Sequence, residues 1–235
     1  MAILEIACFT PQSAITAAHG GADRIELCHD YALGGLTPSL NAVATVKSQL
    51  SIPVYAMIRP HARSFGYDAT DYAAMEFSME DLKRAGVDGF VFGILLDSNP
   101  VAIDVKRNQA LVARAQGRPC TFHRAFDLIP ESDWERALTD IAKCGFTSVL
   151  TSGGPSGRNA TDCVTPLGER LVPGARRHGL DIIVGGGVRP SNVISLCERT
   201  RAPAFHSAAL LPSEDEVRED QVRQLRRALD ACPLS

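Results

Sequence analysis

The segment Thr121-Phe122-His123-Arg124-Ala125-Phe126-Asp127 places an imidazole, a guanidinium and a carboxylate within five residues, at the end of a short β-type run. A strand that ends in titratable groups usually ends in a site. Polar groups interrupt other apolar runs in the same way: Arg24-Ile25-Glu26-Leu27-Cys28, Val54 to Arg59, and Ala204-Phe205-His206-Ser207. Strand alternation separates Ile25 and Leu27 from Arg24, Glu26 and Cys28, so Glu26 points into the interior of a barrel. Two roles stay open for it: an ion pair with Arg24 or Arg59 in a buried layer, or general acid and base work near the strand ends. His123 shares a face with Thr121 and is its acid-base partner in the second case, with Arg124 turned outward or sideways. Asp127, four residues on, either orients the His123 imidazole or binds substrate, or else is a turn aspartate that helps cap the next helix. Arg59, directly before Pro60, suits a carboxylate or phosphate through two parallel hydrogen bonds, and it can also brace Glu26.

These groups meet only if strand ends converge. Eight apolar, β-branched runs (Ile3 to Cys8, Arg24 to Cys28, Pro53 to Ile58, Gly89 to Gly93, Pro119 to His123, Ser148 to Thr151, Asp181 to Gly185, Ala204 to His206) alternate with helical patterns. The helical stretches are Pro11 to His19, Leu40 to Leu50, Tyr72 to Ala85, Val105 to Gln116, Asp133 to Cys144, Leu167 to His178, Ser191 to Arg199 and Glu214 to Ala231. Strict alternation implies parallel strands with right-handed crossovers. Over 235 residues with no low-complexity linker, one domain spanning residues 1–235 as a (β/α)8 TIM barrel is expected. Capping boxes at Ser132/Glu135 and Ser213/Glu216, and Pro190 opening the seventh helix, mark helix starts. Gly21, Gly86 and Gly145 end helices on the face away from the site.

In such a barrel the loops after strands seven and eight commonly bind an anion. Gly185-Gly186-Gly187-Val188 runs toward a helix start, so unhindered N–H groups at Gly186 and Gly187 either cradle an oxyanion or simply make a tight turn. Ser207 supplies further contacts, and Ser152 in Thr151-Ser152-Gly153-Gly154 extends the polar rim, although it lacks the flanking glycines of a nucleophile elbow.

Taken in order, GGADRIELC (Gly20 to Cys28), GGLTPS (Gly34 to Ser39), IPVYAMIRP (Ile52 to Pro60), TFHRAFD (Thr121 to Asp127), VLTSG and GGGV resemble the CutC family of copper homeostasis proteins. The resemblance implies a TIM barrel, a homo-oligomer and copper handling through thiolates. Thiolate sulfur suits Cu(I), which makes Cys28 and Cys8 the metal candidates. Parity with Leu4 and Ile6 turns Cys8 toward the helices, and Ala7 takes the inward place where family members can carry cysteine. The chain also departs from the family at His61-Ala62-Arg63-Ser64 after the third strand.

The residues by themselves read as a pocket for a small anionic, phosphorylated or carboxylated metabolite, worked by Glu26 and His123 in isomerase or lyase chemistry without an organic cofactor. A net charge of -3 and no basic tract leave no general attraction for nucleic acid. The N-terminus has no signal-peptide pattern, no run is long enough to span a membrane, and seven scattered cysteines without a CxxC suit reduced thiols, so a cytoplasmic protein is expected.

Overall fold

Parity divides the side chains of β1 (Ile3–Cys8): Leu4, Ile6 and Cys8 join the core beneath the helices, whereas Glu5 and Ala7 face inward. The same division runs through β2 (Arg24–Leu27), β3 (Val54–Met57) and β4 (Gly89–Phe92). A small antiparallel hairpin, β5 (Leu95–Leu96) with β6 (Ala102–Ile103), follows, and then β7 (Cys120–Phe122), β8 (Ser148–Thr151), β9 (Asp181–Val184) and β10 (Ala204–Ser207). In this computed structural model, which describes residues 1–211 and 215–232, the strands other than the hairpin are parallel. They close into a barrel of order β1-β10-β9-β8-β7-β4-β3-β2. The (β/α)8 architecture expected from alternation is therefore present.

Outside the barrel, fully buried Phe90, Phe92, Phe122 and Phe205 pack under the helices. Each such side chain stabilises the fold by about 1.5–3 kcal/mol. The covering helices are α1 (Pro11–His19), α2 (Leu40–Gln49), α3 (Ala69–Arg84), α4 (Val105–Arg114), α5 (Trp134–Cys144), α6 (Val164–Pro166), α7 (Val172–Arg177), α8 (Val193–Thr200) and α9 (Glu219–Asp230). Gly21, Gly86 and Gly145 take φ of 96°, 89° and 92°, the left-handed turns needed to leave one element for the next.

Several boundaries differ from expectation. Asp133 N–H bonds to the Pro130 carbonyl, making a 3-10 turn over Glu131–Asp133, so Ser132 lies inside a turn and Asp133 precedes α5 without a side-chain cap. The sixth helical stretch is broken by a π turn at Leu167–Leu171, where Pro173 has no N–H to continue regular pairing. Asn192, not Pro190, stands at the start of α8. The last helix starts at Glu219 instead of Glu214, and the capping box at Ser213 lies outside the described residues. Cysteine pairing also departs from expectation: Cys197 and Cys232 form a disulfide linking α8 to the end of α9, while Cys8, Cys28, Cys120, Cys144 and Cys163 are free and buried.

Inside the barrel, charge replaces part of the usual apolar filling. Glu5 is wholly buried, and Arg24 on the neighbouring strand reaches its Oε2 at 2.6 Å while lying 4.4 Å over the Tyr55 ring. Beside this pair Leu150, Ile183 and Ala204 form a small interior apolar cluster. Removing one member of a buried pair strands the other charge. Arg24→Ala is therefore expected to lower stability by about 3 kcal/mol, read as a reduced urea midpoint at unchanged slope. A loss below about 1 kcal/mol, the range of exposed pairs, would show that Glu5 does not depend on Arg24.

Candidate functional site

The strand ends open into a cavity of about 260 Å³. Its floor is built by β2 and β10. Glu26 and the following Cys28 come from β2, and His206 comes from β10, held over β1 by parallel pairing of Glu5 with His206. His206 Nδ1 lies 2.7 Å from Glu5 Oε1, and its Nε2 lies 3.7 Å from Glu26 Oε2. The Cys28 thiol donates to the same Glu26 oxygen at 3.7 Å, while Glu26 Oε1 has no hydrogen-bond partner.

Burial and charge set the protonation of this floor. Burial alone would raise the Glu5 carboxyl, but Arg24 and His206 outweigh it and hold Glu5 down at about 2. Burial raises Glu26 to about 7; His206 opposes the rise and the Glu5 charge adds to it. For His206 burial works against charging, yet Glu26 and Glu5 prevail and raise it above the usual imidazole value. Burial, reinforced by Glu26, pushes the Cys28 thiol well above an ordinary thiol.

His123 follows β7 and lines the cavity wall. Its Nδ1 accepts from Ala125 N–H at 3.4 Å, and Phe65 packs edge-on at 4.7 Å. The buried Nε2 has no partner. Burial, with the Arg59 charge second, brings His123 down to about 3, so the ring is neutral at physiological pH. Glu26 and His123 thus share a cavity but have separate partners, and a neutral His123 is suited to donating a hydrogen bond from Nε2.

Arg59 lines the same cavity, yet it does not brace Glu26. Its Nη1 donates to the carbonyls of Leu33, Gly34 and Gly35 at 3.0, 3.4 and 3.1 Å, and Nη2 to Ala62 at 3.3 Å. The guanidinium sits 4.9 Å over the Phe65 ring, with Nε unpaired. Arg59 therefore pins the loop after β2 over the mouth, and its charge remains available to the cavity. The divergent His61 to Ser64 stretch is held by the Arg59 bond to Ala62 and also through His61 and Arg63 to Asp71 at the start of α3.

Asp127 does not orient His123. Its carboxylate accepts from Thr151 Oγ1 at 2.5 Å, from Ser152 N and Oγ at 3.2 and 3.1 Å, and from Arg124 Nε at 2.8 Å. It lines a neighbouring cleft and not the cavity that holds Glu26. Ser152 is consequently committed: its hydroxyl serves Asp127, so the expected anion contact from this side chain is absent. Arg124, expected to turn outward or sideways, instead reaches the mouth and borders both spaces.

Above the floor, Gly186 and Gly187 take φ of 88° and 78°. A side chain at Gly186 would put its Cβ 2.9 Å from Ser152 Cβ and 3.5 Å from the Arg124 guanidinium carbon. The turn therefore needs glycine for its own sake. It also leaves the N–H groups of Gly186, Gly187, Val188 and Ala208 without acceptors among the described residues, all on cavity-lining residues. Ser207 is occupied, donating to the Val188 carbonyl at 2.8 Å and accepting from Ala209 N–H at 3.1 Å, so it shapes the loop pair.

Copper through two thiolates does not fit. Ala7 lines the cavity, whereas Cys8 packs in the core under the helices with its thiol directed to the Ile6 carbonyl. Among the described residues Cys28 alone brings a thiol to the cavity lining, with the Met57 thioether as its other sulfur. Glu5, Arg124 and His206 were the site residues that sequence reasoning missed. Parity already placed Glu5 beside Ala7 on the inward face of β1, and His206 beside Ala204, two signals that pointed to the same floor.

The CutC family profile matches residues 2–210. A copper homeostasis protein cutC homolog of Drosophila melanogaster is 35% identical over 93% of this chain and 80% of its own. A homolog of the same name in Homo sapiens is 37% identical over 88% and 73%. The solved CutC structure from Streptococcus agalactiae superposes with a TM-score of 0.83 at 30% identity, covering 88% of this chain and 99% of that one. Phosphoribosyl anthranilate isomerase from Thermotoga maritima shares the fold alone, with a TM-score of 0.68 at 14% identity over 98% and 99% of the two chains.

The raised Glu26 carboxyl has a measurable consequence. The folded protein keeps that proton up to about pH 7, whereas an unfolded glutamate loses it near 4.5, so stability falls as pH rises through this window. Relative to wild type, Glu26→Gln is expected to gain about 2–3 kcal/mol between pH 4 and pH 8 in chelator-treated protein, followed by urea unfolding. A stability difference that stays constant with pH would mean that Glu26 titrates alike in the folded and unfolded protein.

Proposed function

Because the chain belongs to the CutC family, we propose that it serves copper homeostasis, the role for which its relatives are named, by binding a small anionic metabolite at the barrel mouth. The observation that carries this reading is the set of unpartnered N–H groups at Gly186, Gly187, Val188 and Ala208, with Arg124 and Arg189 beside them. Backbone donors and guanidinium groups together select a carboxylate or phosphate. With the anion held there, the rest of the molecule extends down to Glu26, His123 and Cys28. A carbonyl-containing metabolite undergoing isomerase or lyase chemistry suits that floor: His123 offers an uncharged donor, and metal-free Glu26 can take and return a proton near neutrality.

Copper binding is a second reading, favoured by the Cys28 sulfur in the cavity and by the relatives' names. On this chain it rests on the Cys28 thiol and the Met57 thioether, without the second thiolate of the expected pair. The reading keeps the cytoplasm as the compartment, supported by five free buried thiols, although the Cys197–Cys232 disulfide argues the other way. None of the helices among the described residues is long and apolar enough to cross a membrane. It also keeps a homo-oligomer, for which Phe77, 69% exposed on α3, is a candidate contact.

Inorganic phosphate is expected to raise the melting temperature, with a stabilisation of about 2.7 kcal/mol at a hundredfold excess over Kd. Arg124→Ala and Arg189→Ala should each weaken phosphate about tenfold or more, as loss of a charge-assisted bond does. Equal affinity in wild type and both variants would remove the anion site. For copper, anaerobic competition with a Cu(I) chelator should show weak binding that Cys8→Ser leaves unchanged. A tight complex lost in both Cys8→Ser and Cys28→Ser would restore the thiolate copper site.

A further inference from the structure

We propose that the anion taken at the barrel mouth is the phosphate of a small aromatic monoester, whose flat ring lies against a wall made by Phe9, Tyr31, Met57 and Phe65. The inference rests on the anion reading and deepens it, since it names the body to which the anion is attached.

Strand order sets two sides to the mouth. In the closed ring β1-β10-β9-β8-β7-β4-β3-β2, β9 and β3 stand opposite each other. Gly186, Gly187 and Arg189 follow β9, whereas Met57 ends β3 and Phe65 lies on the loop after it. Phe9 follows β1 and Tyr31 follows β2, so the apolar wall is gathered from three strands that are neighbours in the barrel. Phe9 and Tyr31 meet edge to face at 5.1 Å. Phe65 is fixed by Arg59, 4.9 Å over its ring, and by His123 at 4.7 Å. The wall is rigid yet uncovered: Tyr31 is 45% exposed, and Phe9 and Phe65 are half-buried. A flat apolar group laid on these rings removes both surfaces from water.

What the lining lacks excludes a sugar as that body. Sugar hydroxyls are sorted by carboxylates, amides and free hydroxyls, and each one buried without a partner weakens binding. Among the described residues Glu26 is the only side-chain carboxylate of the cavity, no asparagine or glutamine lines it, and the Ser207 hydroxyl is engaged within its own loop pair. The terminal nitrogens of Arg59 already serve the carbonyls of Leu33, Gly34, Gly35 and Ala62. On the opposite side, four unpartnered N–H groups with Arg124 and Arg189 offer more donors and charge than two carboxylate oxygens use. A phosphate monoester answers them with three acceptor oxygens and close to two negative charges. The volume of about 260 Å³ falls just below the roughly 300–1,000 Å³ of ordinary small-molecule sites, which suits one ring with one phosphate rather than a nucleotide.

The competing account is that these side chains only close the mouth, in which case every small phosphate ester binds alike. Calorimetric titration of the full chain with inorganic phosphate, methyl phosphate, glycerol phosphate and phenyl phosphate distinguishes the two. Phenyl phosphate is expected to bind at least tenfold tighter than methyl phosphate or glycerol phosphate, with a more negative heat-capacity change. The ratio of phenyl to methyl phosphate affinity is the readout for the wall. Tyr31→Ala and Phe65→Leu should each lower that ratio at least threefold, whereas Arg189→Ala should weaken both esters together and keep it. Thermal melts establish that each variant is folded, and the wild-type comparison needs no variant. Equal affinities for phenyl and methyl phosphate, tighter binding of glycerol phosphate, or a ratio indifferent to both Tyr31→Ala and Phe65→Leu overturns the aromatic wall while leaving the anion loop standing. Failure of every phosphate to bind, phenyl phosphate included, removes the anion reading and this inference with it.

Discussion

A buried chain of charge, Arg24 to Glu5 to His206 to Glu26, fixes the interior of this barrel. Glu5 is tolerable in a solvent-free interior only because Arg24 and His206 both reach it, and this double attachment is what holds its carboxyl at about 2. Everything chemical above it inherits the arrangement. His206 is oriented by Glu5, Glu26 is flanked by His206, and the Cys28 thiol leans on Glu26. The neighbouring interior cluster of Leu150, Ile183 and Ala204 contributes only apolar filling, so the polarity of the floor is set by the strands carrying those four groups.

The glycine turn after β9 works under a different constraint. Its left-handed φ values and its close approach to Ser152 and Asn159 exclude side chains, and the same absence of side chains exposes backbone donors to the cavity. Tight packing and exposed backbone donors therefore come from one feature. Ser152 shows how a plausible binding hydroxyl is lost: Asp127, buried in the 3-10 turn after β7, gathers Thr151, Ser152 and Arg124 around itself, and that local network stiffens the rim without facing the floor.

What could be read from sequence was what a period of two determines. Eight alternating runs were enough for a closed barrel, and parity put Glu26 and Cys28 inward and Cys8 outward. Positions outside strands escaped that rule. Arg124 and Asp127 lie in a 3-10 turn, where alternation says nothing: Arg124 reaches the mouth instead of turning outward, and Asp127 gathers Thr151, Ser152 and Arg124 instead of orienting His123. Partner choice escaped it too: Arg24 and Arg59 were both reasonable mates for Glu26, yet Arg24 found Glu5 through strand register, and Arg59 found the carbonyls of a loop. The π turn and the late start of α9 depend on a proline and on loop path, neither of which leaves a periodic trace.

Glu5 and His206 belong to the first and last strands of the barrel, 201 residues apart in the chain. The floor is thus completed by the seam where the two ends of the sheet meet. A nascent chain that has emerged only as far as α8 carries Glu26, Cys28, Arg59 and His123 but has no imidazole to set between the carboxylates, and its Glu5 has lost one of two partners. Assembly of the floor and closure of the barrel are then a single event, completed when the last strand docks against the first.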